Sequence, residues 1–165
     1  PLLNGAEDGV YERQTPSYRT AGQPLASVSE LRSVAGVTPE IYAALAPFVT
    51  VWPKEGSVLN VLTASATVLR SLPVDDLLEP LPKEEGLRLV EARAEGFIFS
   101  VETLLEDALF SGPGGDDLAA LLGERSDWFL LSASVEIAER ELRLYSVLER
   151  ERGSVFSRYR SQGEL

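Results

Sequence analysis

The sequence predicts an α+β protein, in which a run of short capped helices precedes a three-stranded antiparallel sheet. Two observations predict it. Between residues 27 and 122 apolar residues recur at helical spacing, with Ser or Thr ahead of the runs and Gly or Pro behind them. From Ser126 onward the spacing changes to strict alternation, broken twice by short polar turns. The expected division is an irregular lead-in over 1–26, a helical domain over 27–122 and a sheet over 123–165.

The lead-in is rich in Gly, Pro, Ser and Thr and has no sustained period, but Tyr11, Tyr18 and Leu25 give it something to bury. Ser27-Val28-Ser29-Glu30 has the capping-box pattern, with Ser27 accepting from the Glu30 amide and Glu30 reaching back, and predicts a helix over about 28–35 that stops at Gly36. Thr38 then caps a second helix with Pro39 at its first position and Ile41, Tyr42 and Leu45 as its apolar stripe, ended by Pro47. FVTVWP at 48–53 reads as a short extended piece. Thr63 is the expected cap of the next helix, with Leu62, Val68, Leu69 and Leu72 as its buried set.

After the proline-punctuated stretch 73–82, a clearer helix is expected over about 83–95, with Leu87, Val90 and Ala94 on its apolar side and Gly96 as its stop. Ser100 caps VETLLEDALF, SGPGGDD at 111–117 is a loop by composition, and DLAALL forms a short helix. Phe129, Leu131, Ala133, Val135 and Ile137 then share one face of a strand, Leu142, Leu144, Ser146 and Leu148 alternate in a second, and Val155, Ser157 and Tyr159 in a third. Such a meander has one apolar face that needs a helix or a second sheet against it. The helices within 27–122 are expected to be occupied with one another, so the cover is expected from elsewhere.

Composition narrows the chemistry. The chain has 165 residues, with 26 acidic against 15 basic side chains and a net charge of −11, which repels phosphate backbones and anionic lipid. It has no His and no Cys, so disulfides, thiolate nucleophiles, the usual zinc sites and imidazole bases are excluded. No run of eighteen apolar residues is present. The start at Pro1 and the lack of any Met predict a piece of a longer chain.

Five segments occur in an order that is familiar: GAEDGVY at 5–11, PSYRTAGQPLASVSELRSVAGVTPEIYAALAPFVTVWP at 16–53, LNVLTAS at 59–65, RAEGF at 93–97 and SDWFLL at 126–131. Together they resemble the K-type minor pseudopilin of bacterial type II secretion, also called general secretion pathway protein K. The resemblance implies a pilin-like domain, a long N-terminal helix on a small antiparallel sheet, into which a large helical domain is inserted. Residues 1–26 would belong to the junction of the pilin domain, 27–122 to the inserted domain and 123–165 to the sheet, and the N-terminal helix would lie outside this chain. The implied role is that of tip subunit and initiator of the pseudopilus, in complex with I-type and J-type minor pseudopilins and anchored in the inner membrane on the periplasmic side. In the NVNTA segment of the family the second Asn is Leu62 here, while Asn60 and Thr63 remain. The cysteines that some relatives carry are missing, so no disulfide is carried over.

The resemblance also implies calcium at the inserted domain, and Glu7 and Asp8 are the candidate ligands. Calcium takes six to eight oxygens, so further ligands would be needed, such as nearby carbonyls or Asp127. A plain ordered turn is the competing reading of the same loop. The adjacent carboxylates Asp75-Asp76, Glu84-Glu85 and Asp116-Asp117 are expected to be solvated, because sequence neighbours seldom point the same way, and no enzyme is expected. The helix-turn-helix pieces also resemble helix-hairpin-helix modules, which makes a nucleic-acid binder the alternative. That reading is disfavoured by a single glycine in the first turn and three carboxylates in the second. Trp52, Tyr145 and Tyr159 are candidate surface aromatics for a protein partner.

Overall fold

The computed structural model describes residues 6–74, 79–110, 115–138 and 140–162, the side chains of 115 and 116 excepted. The chain divides into two compact units, residues 6–51 with 161–162 and Trp52–Arg160. Helices come first and an antiparallel sheet last, as the change of period predicts. The Asp75-Asp76 pair lies outside the described residues.

In the first unit, α1 (Asp8–Tyr11) is followed by a 3-10 helix over Val28–Ser33, α2 (Pro39–Leu45) and a 3-10 turn over Ala46–Phe48. Two tyrosines tie the lead-in to the first of these turns. The buried Tyr11 accepts a hydrogen bond from the Ala35 amide at 3.3 Å, and the Tyr18 hydroxyl donates to the Ser33 carbonyl at 2.6 Å, with the two rings 5.2 Å apart. Ser27 does cap, but its Oγ accepts from Ser29 rather than Glu30, and the Glu30 carboxylate reaches back to Ala26. The tighter 3-10 winding brings the second amide, not the third, to the cap. Thr38 caps α2 as expected by accepting from Ile41 at 3.3 Å, with Pro39 at N1. The expected stripe of α2 is not buried: Ile41 and Leu45 are exposed and Tyr42 is half-buried.

The second unit holds the core. Val61, Leu69, Leu89, Ile98, Leu104 and Phe110 belong to one buried cluster built by α3 (Ala66–Leu69), α4 (Lys83–Ala94), α5 (Val101–Leu105) and the turns between them. β1 (Leu59–Asn60) pairs in parallel with β2 (Leu122–Gly123), which closes the two ends of this helical segment on each other. The Asn60 side chain accepts from the Leu62 amide and donates to Ser126 Oγ, both at 2.9 Å. The Asn60 backbone carbonyl accepts from the Ala64 amide, so 60–64 forms a turn that takes up Thr63, and α3 is capped two residues later, by Ser65. Arg93 donates to the carbonyls of Val61 and Ala64 at 2.9 and 2.8 Å, which fixes that turn to α4.

The buried face of α4 is Gly86 and Leu89, with Val90 partly buried, whereas Leu87 and Ala94 face solvent. Gly86 decides this face. A Cβ there would lie 2.5 Å from the Ala66 carbonyl oxygen, so α3 crosses α4 where no side chain intervenes. Gly96, at φ +86°, stops the helix as expected. Ser100 and Thr103 form a capping box at α5. VETLLEDALF does not run as one helix, because the Asp107 carboxylate accepts from the Leu109 amide at 3.1 Å and starts a 3-10 turn over Ala108–Phe110. α6 (Gly115–Ala119) precedes β2.

The sheet is a meander in the order β3 (Trp128–Ile137), β4 (Arg140–Glu151), β5 (Ser154–Ser161). β3 and β4 pair without a slip from Trp128↔Glu149 to Ile137↔Arg140, so Phe129 with Leu148, Ala133 with Leu144 and Val135 with Leu142 share one face. That face stays open to solvent within the chain. Phe129, Leu131, Val135 and Leu142 are each 43–54% exposed, although Ser146, opposite Leu131 on the same face, is buried. No helix among the described residues is long and apolar enough to cross a membrane.

Candidate functional site

Two places could carry function: the acidic loop in the first unit and the apolar surface of the sheet in the second. Glu7 stands at the N-cap of α1, in extended conformation and without a side-chain cap bond, and its carbonyl accepts from Val10 at 2.8 Å. Asp8 is the first residue of the helix. Its Oδ1 accepts from both the hydroxyl and the amide of Thr20, at 2.6 and 3.0 Å, so the loop is closed on a residue twelve positions later. The Thr20 hydroxyl bond, then the Thr20 amide and more weakly Arg19, hold the Asp8 carboxyl below its ordinary range against a small opposing desolvation. The Asp8 carboxylate is therefore anionic at neutral pH. Among the described residues no three acidic side chains converge in a group that could hold a metal ion.

Asp127 has a local partner of its own. Arg150 donates to its carboxylate at 3.2 Å and to the Ser126 carbonyl at 2.8 Å, while the Asp127 carbonyl accepts from the Arg150 amide at 2.7 Å. In the Glu84-Glu85 pair, Glu85 is bound by Arg88 at 2.7 Å, and Arg88 also grips Asp107 with two parallel bonds of 2.9 Å. This is structural use: Arg88 and the Leu109 amide hold the Asp107 carboxyl low against its burial, and Asp107 in turn shapes the turn after α5. Arginines that a phosphate backbone would need are engaged with carboxylates instead, among them Arg19 with Glu12, Arg143 with Glu141 and Arg158 with Glu149.

Two of the three aromatics singled out in the sequence come together. Trp52 stacks on Trp128 at 5.7 Å and on Tyr159 at 6.4 Å, with the Lys54 ammonium 5.1 Å from the Trp52 ring. They anchor the start of the second unit to the sheet rather than standing free, although Tyr159 keeps 47% of its surface exposed. Tyr145 is half-buried opposite Ser132. Sequence reasoning missed Phe97 and Phe99, which flank the buried Ile98 after Gly96 and are 70% and 67% exposed. The signal was the i, i+2 alternation in GFIFS, which turns outward the two phenylalanines on either side of one buried residue.

Comparison with known proteins gives this surface a context. Residues 1–54 match the family model for Type II secretion system (T2SS), protein K. The type II secretion system protein K of Klebsiella pneumoniae is 34% identical over 92% of this chain and 46% of its own length. That of Pseudomonas aeruginosa is 30% identical over 98% of this chain and 46% of its own. The chain is similar to type II secretion system protein K. It spans under half the length of these protein K relatives. Its fold is shared with a chain in the crystal structure of the GspK-GspI-GspJ complex from enterotoxigenic Escherichia coli, at a TM-score of 0.72 and 24% identity, covering 98% of this chain and 56% of that one. The likeness to protein K therefore runs through both the acidic loop and the sheet.

Proposed function

We propose that this chain is the periplasmic part of a K-type minor pseudopilin, which sits at the tip of the type II secretion pseudopilus and helps to start its assembly. It acts there as a binding and assembly subunit, not as an enzyme, with I-type and J-type minor pseudopilins as its partners and the full-length protein anchored in the inner membrane. The observation that carries this reading is the similarity to protein K over nearly the whole chain. The solvent-open apolar face of the sheet supports it physically. Leu131, Val135 and Leu142 are what a helix laid across three strands would bury, and in this reading that helix is the N-terminal one. The helical segment 27–122 is the inserted domain, helix-hairpin-helix-like in its packing, and 123–165 supplies the sheet.

Calcium is a second part of the proposal. Glu7 and Asp8 would supply two carboxylates, and the Asp8 oxygen not held by Thr20 is the one a cation would take. Two carboxylates fall short of the six to eight oxygens that calcium needs, so backbone carbonyls and water would complete the shell. Bound there, the ion would cross-link the start of α1 to its loop.

Complementation tests the role. In a bacterium whose protein K gene is deleted, the full-length gene that encodes this chain should restore export of the secreted enzymes. A fully expressed, membrane-inserted product that restores none would contradict the proposal.

A further inference from the structure

The core of the second unit is drawn from one stretch of chain. Its eleven buried side chains run from Val61 to Leu122, and the partly buried ones packed against them run from Leu59 to Leu109. Among the described residues the strands β3–β5 bury one apolar side chain, Val147, and it lies outside that cluster. A stretch of this length, about 65 residues, is near the lower limit for a domain that folds alone.

Both ends of the stretch are fastened within it. The Leu59 amide donates to the Leu121 carbonyl at 2.8 Å and the Val61 amide to the Gly123 carbonyl at 2.9 Å. Gly123 lets the two strands close, because a Cβ there would lie 2.7 Å from Val58 Cγ2. Arg93 holds the entry turn to α4, and just past the exit the Glu124 carboxylate accepts from the Val101 amide at 2.9 Å. Toward the sheet, Asn60 donates to Ser126 Oγ, a neutral hydrogen bond whose net worth is too small to make two bodies unfold as one.

We infer that residues 59–123 are a folding unit of their own, so that the second unit consists of two cooperative bodies, this helical module and the sheet. The turns over 28–48 stand outside the module, which is therefore smaller than the helical segment 27–122. A meander depends on whatever covers its apolar face, and the module keeps its own apolar side chains for itself. The module stays folded when the sheet opens, and the stability of the sheet alone follows its cover. This separation is a property of the packing and does not depend on the proposed role.

Hydrogen exchange of the whole 165-residue chain, read peptide by peptide by mass spectrometry, tests it. Leu89→Ala should speed exchange of protected amides in 59–123 by roughly tenfold or more and leave 128–161 unchanged, even if the module unfolds outright. Val147→Ala should leave 59–123 unchanged. Strands that exchange freely in the parent while the module is protected meet the same expectation. Limited trypsin digestion should cut at Arg143 and Arg152 in the sheet well before Arg70, Arg88 and Arg93, and leave Glu55–Arg125 as the lasting fragment. Equal loss of protection in both segments on either substitution would overturn the inference, and so would cuts within 70–93 as early as those in the strands.

Discussion

Gly86→Ala sets two known effects against each other, and the structure decides between them. An alanine inside α4 gains about 1 kcal/mol in helix propensity over glycine. At this position its Cβ would stand 2.5 Å from the Ala66 carbonyl oxygen and 3.2 Å from Arg70 Cβ. Ordinary contact begins near 3.4 Å, so α3 and α4 must separate by roughly 1 Å, and such a gap forfeits about a quarter to a half of the dispersion well across the contact. The carbonyl cannot swing aside alone, because it accepts from the Arg70 amide at 3.0 Å. The separation also opens the contact beneath Leu69 and Leu89, which are 1% and 0% exposed. Overpacking costs about 1–3 kcal/mol and here adds the loss of that contact, so the net effect is a destabilisation of about 1–2 kcal/mol. For a domain of this size that lowers Tm by about 2–8 °C. Thermal unfolding followed by far-UV circular dichroism measures it. An unchanged or raised Tm would refute the close helix crossing from which the position of α4 is derived.

Other expectations follow from the same geometry. Leu89→Ala removes a fully buried side chain at the centre of the core and should cost about 2–5 kcal/mol in urea unfolding. Asp107→Asn breaks the paired bonds to Arg88 and should cost roughly 1 kcal/mol at pH 7. Because the folded Asp107 carboxyl lies below its ordinary value of 3.8, its contribution is complete above that value and disappears as pH falls through the folded one. The stability of the variant should therefore converge on that of the parent as pH falls through the lowered, folded value. Glu7→Gln with Asp8→Asn should lower Tm in calcium but not in chelator, and an equal loss in both would leave the loop as an ordinary turn.

The sequence carried the plan of this molecule better than its details, for reasons visible at particular residues. Local chemistry was legible: Thr38 with Pro39, Ser100 and Gly96 mark helix ends whose energetics lie within four residues of chain. The alternation after Ser126 predicted three strands and their turns, because period two has no helical counterpart. What failed depended on partners distant in sequence. Thr63 gave up its capping role because Asn60 bends 60–64 into a turn held by Ser126 and Arg93. The sequence puts Leu87, Val90 and Ala94, without Leu89, on the apolar side of α4, because the approach of α3 at Gly86 that chooses the face is not visible in it. In the acidic loop, the adjacency of Glu7 and Asp8 was plain, but the engagement of Asp8 with Thr20 was not, since nothing in the sequence joins positions twelve apart.

The proposed role is tested most directly by reconstitution. Purified full-length protein containing this chain would be mixed with the periplasmic domains of the I-type and J-type minor pseudopilins, and the mass of the product measured by light scattering after size exclusion. The account predicts a single species whose mass equals one copy of each. Elution of the K-type protein apart from an intact I–J complex, at concentrations well above those in the periplasm, would contradict it.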